Sequence, residues 1–90
     1  MTDAFSVTLS KQARRALRED LPEAVAVACF EFIRGPLAEN PYRVGKPLHA
    51  PLAGHHSARR GEFRVIYQIH DRTITVHVVS IKHRRDAYHR

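Results

Sequence analysis

Two basic runs in the second half of this chain carry the residue types best suited to chemistry. The first, Arg59-Arg60-Gly61-Glu62-Phe63-Arg64-Val65-Ile66-Tyr67-Gln68-Ile69, sets arginines into an alternating, half-apolar stretch. The second, His83-Arg84-Arg85-Asp86-Ala87-Tyr88, groups cations beside a tyrosine. A guanidinium is a planar fork of N–H donors that matches the oxygens of a phosphate. On a strand whose other side is apolar and buried, such forks face solvent on a rigid support. His83 adds an imidazole able to donate or accept a proton near neutral pH. These residues suit the binding of a polyanion, and they make the domain a candidate nucleic-acid protein.

The charge distribution agrees. Residues 1–42 hold five Lys/Arg against six Asp/Glu, whereas residues 43–90 hold ten against three and all seven histidines. The net +7 of the second part attracts RNA, DNA or an acidic protein segment without choosing among them. Several chemistries are disfavoured. No P-loop or GxGxxG glycine pattern is present. Adjacent His55 and His56 on a strand point to opposite faces, and no histidine has a metal-ligand spacing with a cysteine or carboxylate. The single cysteine, Cys29, fits a helical core position as a small hydrophobe rather than a nucleophile. No cofactor or metal is expected.

The elements that must hold the arginines follow from periodicity. Phe5, Val7 and Leu9 alternate with Ser6, Thr8 and Ser10, giving a short strand. Ser10 caps a helix over Lys11 to Asp20 with Ala13, Ala16 and Leu17 inward. Leu21-Pro22 opens a second helix to about Arg34, with Val25, Ala28, Cys29, Phe32 and Ile33 as its buried stripe. Val27 and Phe30 are expected to widen that stripe, and Gly35-Pro36 to end or kink the helix, with one further turn through Ala38 as the alternative. Residues 40–54, rich in proline and glycine, read as a connection. From His55 to Ile81 the period becomes 2. Residues 55–60 give a weak strand; Phe63, Val65, Tyr67 and Ile69 share one face of the next strand, and Arg64, Ile66, Gln68 and His70 the other. His70-Asp71-Arg72 turns into Thr73–Ile81, where Ile74, Val76 and Val78 alternate with Thr73, Thr75 and His77. The predicted fold is one α+β domain over residues 1–90. It has a short N-terminal strand, two helices on one face of a small antiparallel sheet, the other face open, and a C-terminal basic segment. No apolar run reaches the roughly 18–20 residues of a membrane helix. The N-terminus lacks the pattern of a secretory signal, so a cytoplasmic location is the default expectation and no membrane partner is foreseen.

On these residues the chain resembles the RelE/ParE superfamily of toxins, nearer its RelE branch. The likeness spans nearly the whole chain. Its anchors are the Asn40-Pro41 to Leu52-Ala53-Gly54 connection, Gly61-Glu62-Phe63-Arg64-Val65-Ile66-Tyr67 and His83-Arg84-Arg85-Asp86-Ala87-Tyr88. The resemblance implies a type II toxin that inhibits translation as a ribosome-dependent mRNA endoribonuclease. Its reaction is metal-independent: a 2′-oxygen attacks the adjacent phosphorus and leaves a 2′,3′-cyclic phosphate and a 5′-hydroxyl. It also implies a cognate RelB-like antitoxin whose acidic segment wraps the toxin, with operator DNA reached only through that complex. The alternative within the same fold is a ParE-like toxin that poisons gyrase by protein binding.

The resemblance assigns Arg64 to charge stabilisation on the phosphorane, Arg84 to charge near the leaving oxygen, and Tyr88 to stacking on a base or orienting the 2′-hydroxyl. His83 is a candidate proton carrier. Arg59 matches a second basic position that either grips phosphate or is a surface charge; Arg60, Arg85 and His55 join it as candidate substrate contacts. One position departs from the family pattern. Ser57 stands where RelE proteins often place a basic residue thought to act as general base, and His55 or Glu62 is then the expected substitute.

Overall fold

A computed structural model describes residues 4–85. The first strand, β1 (Ser6–Leu9), alternates outward Ser6 and Thr8 with inward Val7 and Leu9, as its sequence predicts. The Ser10 side chain then caps helix α1 (Lys11–Arg15), accepting the Ala13 N–H at 3.0 Å. That helix runs on into a π-helical turn, Ala16–Asp20, with Ala13 and Ala16 buried.

Helix α2 (Glu23–Phe32) starts after Pro22 and buries Cys29, and a second π-helical turn, Ile33–Leu37, buries Ile33 and Leu37. Gly35-Pro36 therefore does not stop the chain at Arg34. Pro36 has no N–H to give an i−4 carbonyl, and the wider π turn passes it without that bond. The expectation for Val27 and Phe30 is corrected: they are 55% and 45% exposed. At 3.6 residues per turn they sit about 160° and 100° around the helix from Cys29, outside a stripe centred on it.

The region 40–54 holds more structure than a connection. Pro41 opens a short helix α3 (Pro41–Val44), and Lys46–Pro47 forms β2, pairing antiparallel with β3 (His56–Arg60). Strands β4 (Phe63–His70) and β5 (Thr75–His83) complete a five-stranded sheet in the order β1-β5-β4-β3-β2. The sheet is antiparallel from β2 to β5, but β1 joins β5 in parallel, Val7 opposite Val76, so the whole is mixed. Ile74 opens the last strand differently from its expected alternation. It takes φ 49° in the turn and is half exposed.

One irregularity organises the sheet's two faces. Ile66 pairs with Ser80 and Tyr67 with Val78, so Val79 is an extra residue in β5, a β-bulge. Before it, Val76 and Val78 face the helices. After it, Ile81 does, opposite Val65. The core joins Val65, Tyr67, Val76, Val78, Ile81 and Ala58 to Ala13, Ala16, Cys29, Ile33 and Leu37.

Candidate phosphate-binding site on the outer sheet face

Register places three cations in one row on the face away from the helices. Arg59 of β3 lies opposite Arg64 of β4, and Arg64 opposite Lys82 of β5. Neighbouring strands are about 4.8 Å apart, so the three stems rise side by side. On the same face Lys46 of β2 lies opposite Ser57. Val44, Gly45, Lys46, Ser57, Arg59 and Arg64 line a cleft of about 500 Å³ between the 44–48 segment and the sheet.

The row carries uncompensated charge. Among the described residues the ion pairs are Arg18–Glu19 at 3.8 Å and Arg84–Glu62 at 2.9 Å, neither of which involves Lys46, Arg59, Arg64 or Lys82. Arg64 is partly buried, and its Nε is fully buried with no hydrogen-bond partner. A buried, charged donor without an acceptor costs free energy that an anionic ligand can return.

The wall of the cleft is fixed from behind. Tyr67 is completely buried, and its hydroxyl donates to the Pro41 carbonyl at 2.6 Å. Burial pushes the phenol up to about 12, so it stays a donor at any working pH. Gly45 packs against this hydroxyl: a Cβ there would collide with it and approach the Ser57 carbonyl to 2.8 Å. Only a residue without a side chain lets the rim lie so close to the sheet.

His56 stacks on Tyr67, ring centroids 5.6 Å apart, and meets Tyr42 edge-on at 5.9 Å. Burial lowers its affinity for a proton below that of an ordinary imidazole. The unfolded chain then binds the proton more readily than the folded one. This contribution to stability is complete above about pH 6.5 and is lost as pH falls through the lowered folded value. A series of thermal melts at decreasing pH is expected to show the decline, and His56→Phe, which keeps the ring stack, to flatten it. An unchanged profile in the variant would remove His56 as its source.

The predicted site residues divide. Arg59 and Arg64 come together as expected. Arg60 lies on the helix-covered side, opposite Phe63, and lines a separate cleft with Ala28 and Cys29. His83 is also on that side, its ring 5.4 Å from the Phe63 ring, with Nδ1 accepting the Arg85 N–H at 3.2 Å. Arg84 follows β5, its guanidinium on Glu62 and its N–H on the Glu62 carbonyl at 2.7 Å. Arg85 is exposed beyond the strand. His55 precedes β3 and accepts the Leu48 N–H at 2.9 Å through its carbonyl, and its buried Nδ1 has no partner. Tyr88 lies outside the described residues.

Two residues absent from the sequence-based set belong to the outer face. Lys46 escapes notice because its strand is two residues long. Lys82 escapes because the predicted strand ends at Ile81, one residue short of it; alternation continued from Val76 and Val78 would put Lys82 inside and His83 outside, and the bulge exchanges the two. The signal available was the adjacent pair Val78-Val79, an apolar doublet in a period-two run. Among the described residues no group of three or more His, Cys, Asp or Glu comes together to hold a metal ion.

Comparison with known proteins gives concordant results. The family model described as the ParE toxin of the type II toxin–antitoxin system parDE matches residues 7–88. A toxin named RelE from Mycobacterium tuberculosis is 46% identical over 84 residues, covering 93% of this chain and 86% of that protein. A toxin named RelG from the same organism is 44% identical over 86 residues, covering 96% and 98%. The crystal structure of the M. tuberculosis toxin–antitoxin complex RelBE2 superposes with a TM-score of 0.84 at 42% identity, covering 89% of this chain and 98% of that one. The isolated Escherichia coli RelE toxin, at 18% identity, shares the fold with a TM-score of 0.71 over 89% of this chain and 84% of its own.

Proposed function

The chain belongs to the RelE/ParE superfamily of type II toxins, on its RelE side, and from that membership we propose that it is a ribosome-dependent endoribonuclease that cuts mRNA. The observation that carries the reading is Arg64, partly buried between Arg59 and Lys82, with a buried Nε that has no acceptor. A scissile phosphate seated there supplies the missing acceptor.

In the proposed reaction the RNA 2′-oxygen forms a bond to phosphorus while the bond to the 5′-oxygen breaks. The 2′ proton passes to a base, and the departing 5′-oxygen takes up a proton. Negative charge grows on the phosphoryl oxygens between these events, and preorganised N–H donors are most effective against it. Arg64 takes that role, with Arg59 beside it. Arg84 supplies charge near the leaving oxygen, held in place by Glu62. With its carboxylate engaged by Arg84, Glu62 is the weaker candidate for the base. His55, two residues ahead of Ser57 and with a buried Nδ1 that has no partner, takes the proton instead. Tyr88, by the family pattern, orients the substrate.

An antitoxin is the second part of the reading. Val27 and Phe30 are exposed beside Leu17 and Leu21, in a groove of about 800 Å³ whose charged lining is Arg14, Arg18, Glu23 and Glu31. An amphipathic segment that folds on binding suits this apolar surface, and the acidic character of the segment answers the outer-face cations Arg59, Arg64 and Lys82 instead.

The test is product chemistry. Purified protein added to a translating extract is expected to cut mRNA only when ribosomes are present, leaving a 2′,3′-cyclic phosphate and a 5′-hydroxyl. Intact mRNA together with gyrase-dependent DNA breaks would replace this reading with the ParE-like one.

A further inference from the structure

The row Arg59–Arg64–Lys82 sets like charges directly opposite one another twice, on three successive strands. Such pairs destabilise a sheet. The fold nevertheless makes the second pair, and it does so only by inserting Val79 into β5. The bulge is also held from outside the sheet. Ser10 donates its hydroxyl to the Val79 carbonyl, and Ile81 donates its N–H to the Gln12 side chain at 3.2 Å. Both partners come from the start of α1, 69 residues earlier in the chain. A strand irregularity fixed on either side by the same helix is a built feature. Its effect is to turn an ammonium toward Arg64 and an imidazole away.

We propose that Lys82 is a substrate-binding residue that grips the phosphate next to the scissile one, so that the RNA backbone crosses β3, β4 and β5 rather than following β4. The proposal rests on the ribonuclease reading. It gives the repulsive row a purpose: consecutive phosphates laid across the strands neutralise consecutive cations. Lys82 is partly buried, opposite Arg64, and takes part in neither of the ion pairs among the described residues. A lysine binds phosphate as a point charge and does not require a particular oxygen geometry, which suits a neighbouring group that holds its place while bonds change at the scissile one.

The experiment compares the wild type with Lys82→Gln and Lys82→Arg on ribosomes programmed with synthetic mRNA. The mRNA is unmodified or carries one uncharged methylphosphonate immediately 5′ or 3′ of the cleaved linkage. Lys82→Gln is expected to raise KM about tenfold with little change in kcat, and to reduce the salt slope of log(kcat/KM) by about one. Lys82→Arg should stay within about twofold of wild type, since charge is what matters. At one of the two positions the uncharged linkage should weaken the wild type as much as Lys82→Gln does. It should then weaken Lys82→Gln no further, the coupling expected of direct partners. The melting temperature of Lys82→Gln should not fall, because a like-charge neighbour is removed.

Unchanged KM and salt slope in Lys82→Gln would overturn the proposal. So would losses that multiply at both linkages, a lower melting temperature, or an arginine variant as impaired as the glutamine one. A wild type that leaves programmed mRNA intact would overturn the ribonuclease reading itself, a result distinct from all of these.

Discussion

Arg64→Ala is expected to lower mRNA cleavage by about 10²–10³-fold or more in kcat, the scale on which removal of one preorganised charge-stabilising donor is felt. The fold should survive the change. Arg64 lies on the outer face, outside the apolar cluster that joins sheet and helices. Its removal also eliminates a buried donor without an acceptor and relieves two like-charge neighbours. The variant is therefore expected to melt no lower than wild type while failing to arrest growth on induction. Arg64→Lys keeps the charge but gives up the fork and should recover only part of the rate. A toxic Arg64→Ala protein at unchanged expression would move the chemistry to other residues.

Tyr67→Ala should have the largest effect on stability. Tyr67 is fully buried at the centre of the core and carries the hydrogen bond to Pro41. Truncating a buried aromatic costs about 3–5 kcal/mol, against a total of about 5–15 kcal/mol for a small domain. At about 4–8 °C per kcal/mol the melting temperature falls by well over 10 °C. Tyr67→Phe isolates the hydroxyl: the Pro41 carbonyl loses its buried donor, at about 1–3 kcal/mol. Denaturant melts of both variants separate the ring from the hydroxyl. A Tyr67→Phe protein as stable as wild type would show that the carbonyl finds another partner.

Where side-chain period and chain geometry agree, the sequence is an accurate guide. Ser10 as a cap, Cys29 and Ile33 in the core, and Val65 and Tyr67 on the helix-facing side of β4 all follow from cap chemistry, helical spacing or simple alternation, while Arg59 beside Arg64 is implied by the family resemblance. The expectation for Val27 and Phe30 fails because they lie too far round a regular helix, whereas the other failures come from local breaks in period. The further turn through Ala38, the alternative to a stop at Gly35-Pro36, is formed as a π-helical turn, but the two-residue β2 is too short to leave a pattern. The bulge at Val79 inverts every later position of β5, which puts Lys82 on the outer face and His83 on the helix side. A single inserted residue has no compositional trace beyond one apolar doublet. Its consequence for the site is nevertheless larger than that of any other element.

The parallel pairing of β1 with β5 sets the order in which the molecule can be assembled. Residues 6–9 pair in register with 75–78, and the side chains of Ser10 and Gln12 bond to Val79 and Ile81. Closing a loop of that length comes late, because its entropy is spent before any contact rewards it. On a ribosome, the hairpin partner of β4 and the anchor for β1 both emerge only after β4 itself. A nascent chain halted after β4 therefore has Arg59 and Arg64 but neither the third cation nor a closed sheet. Protease resistance of chains stalled at successive lengths should rise abruptly once β5 has emerged, so that the order of synthesis itself withholds the completed basic row until that strand is made.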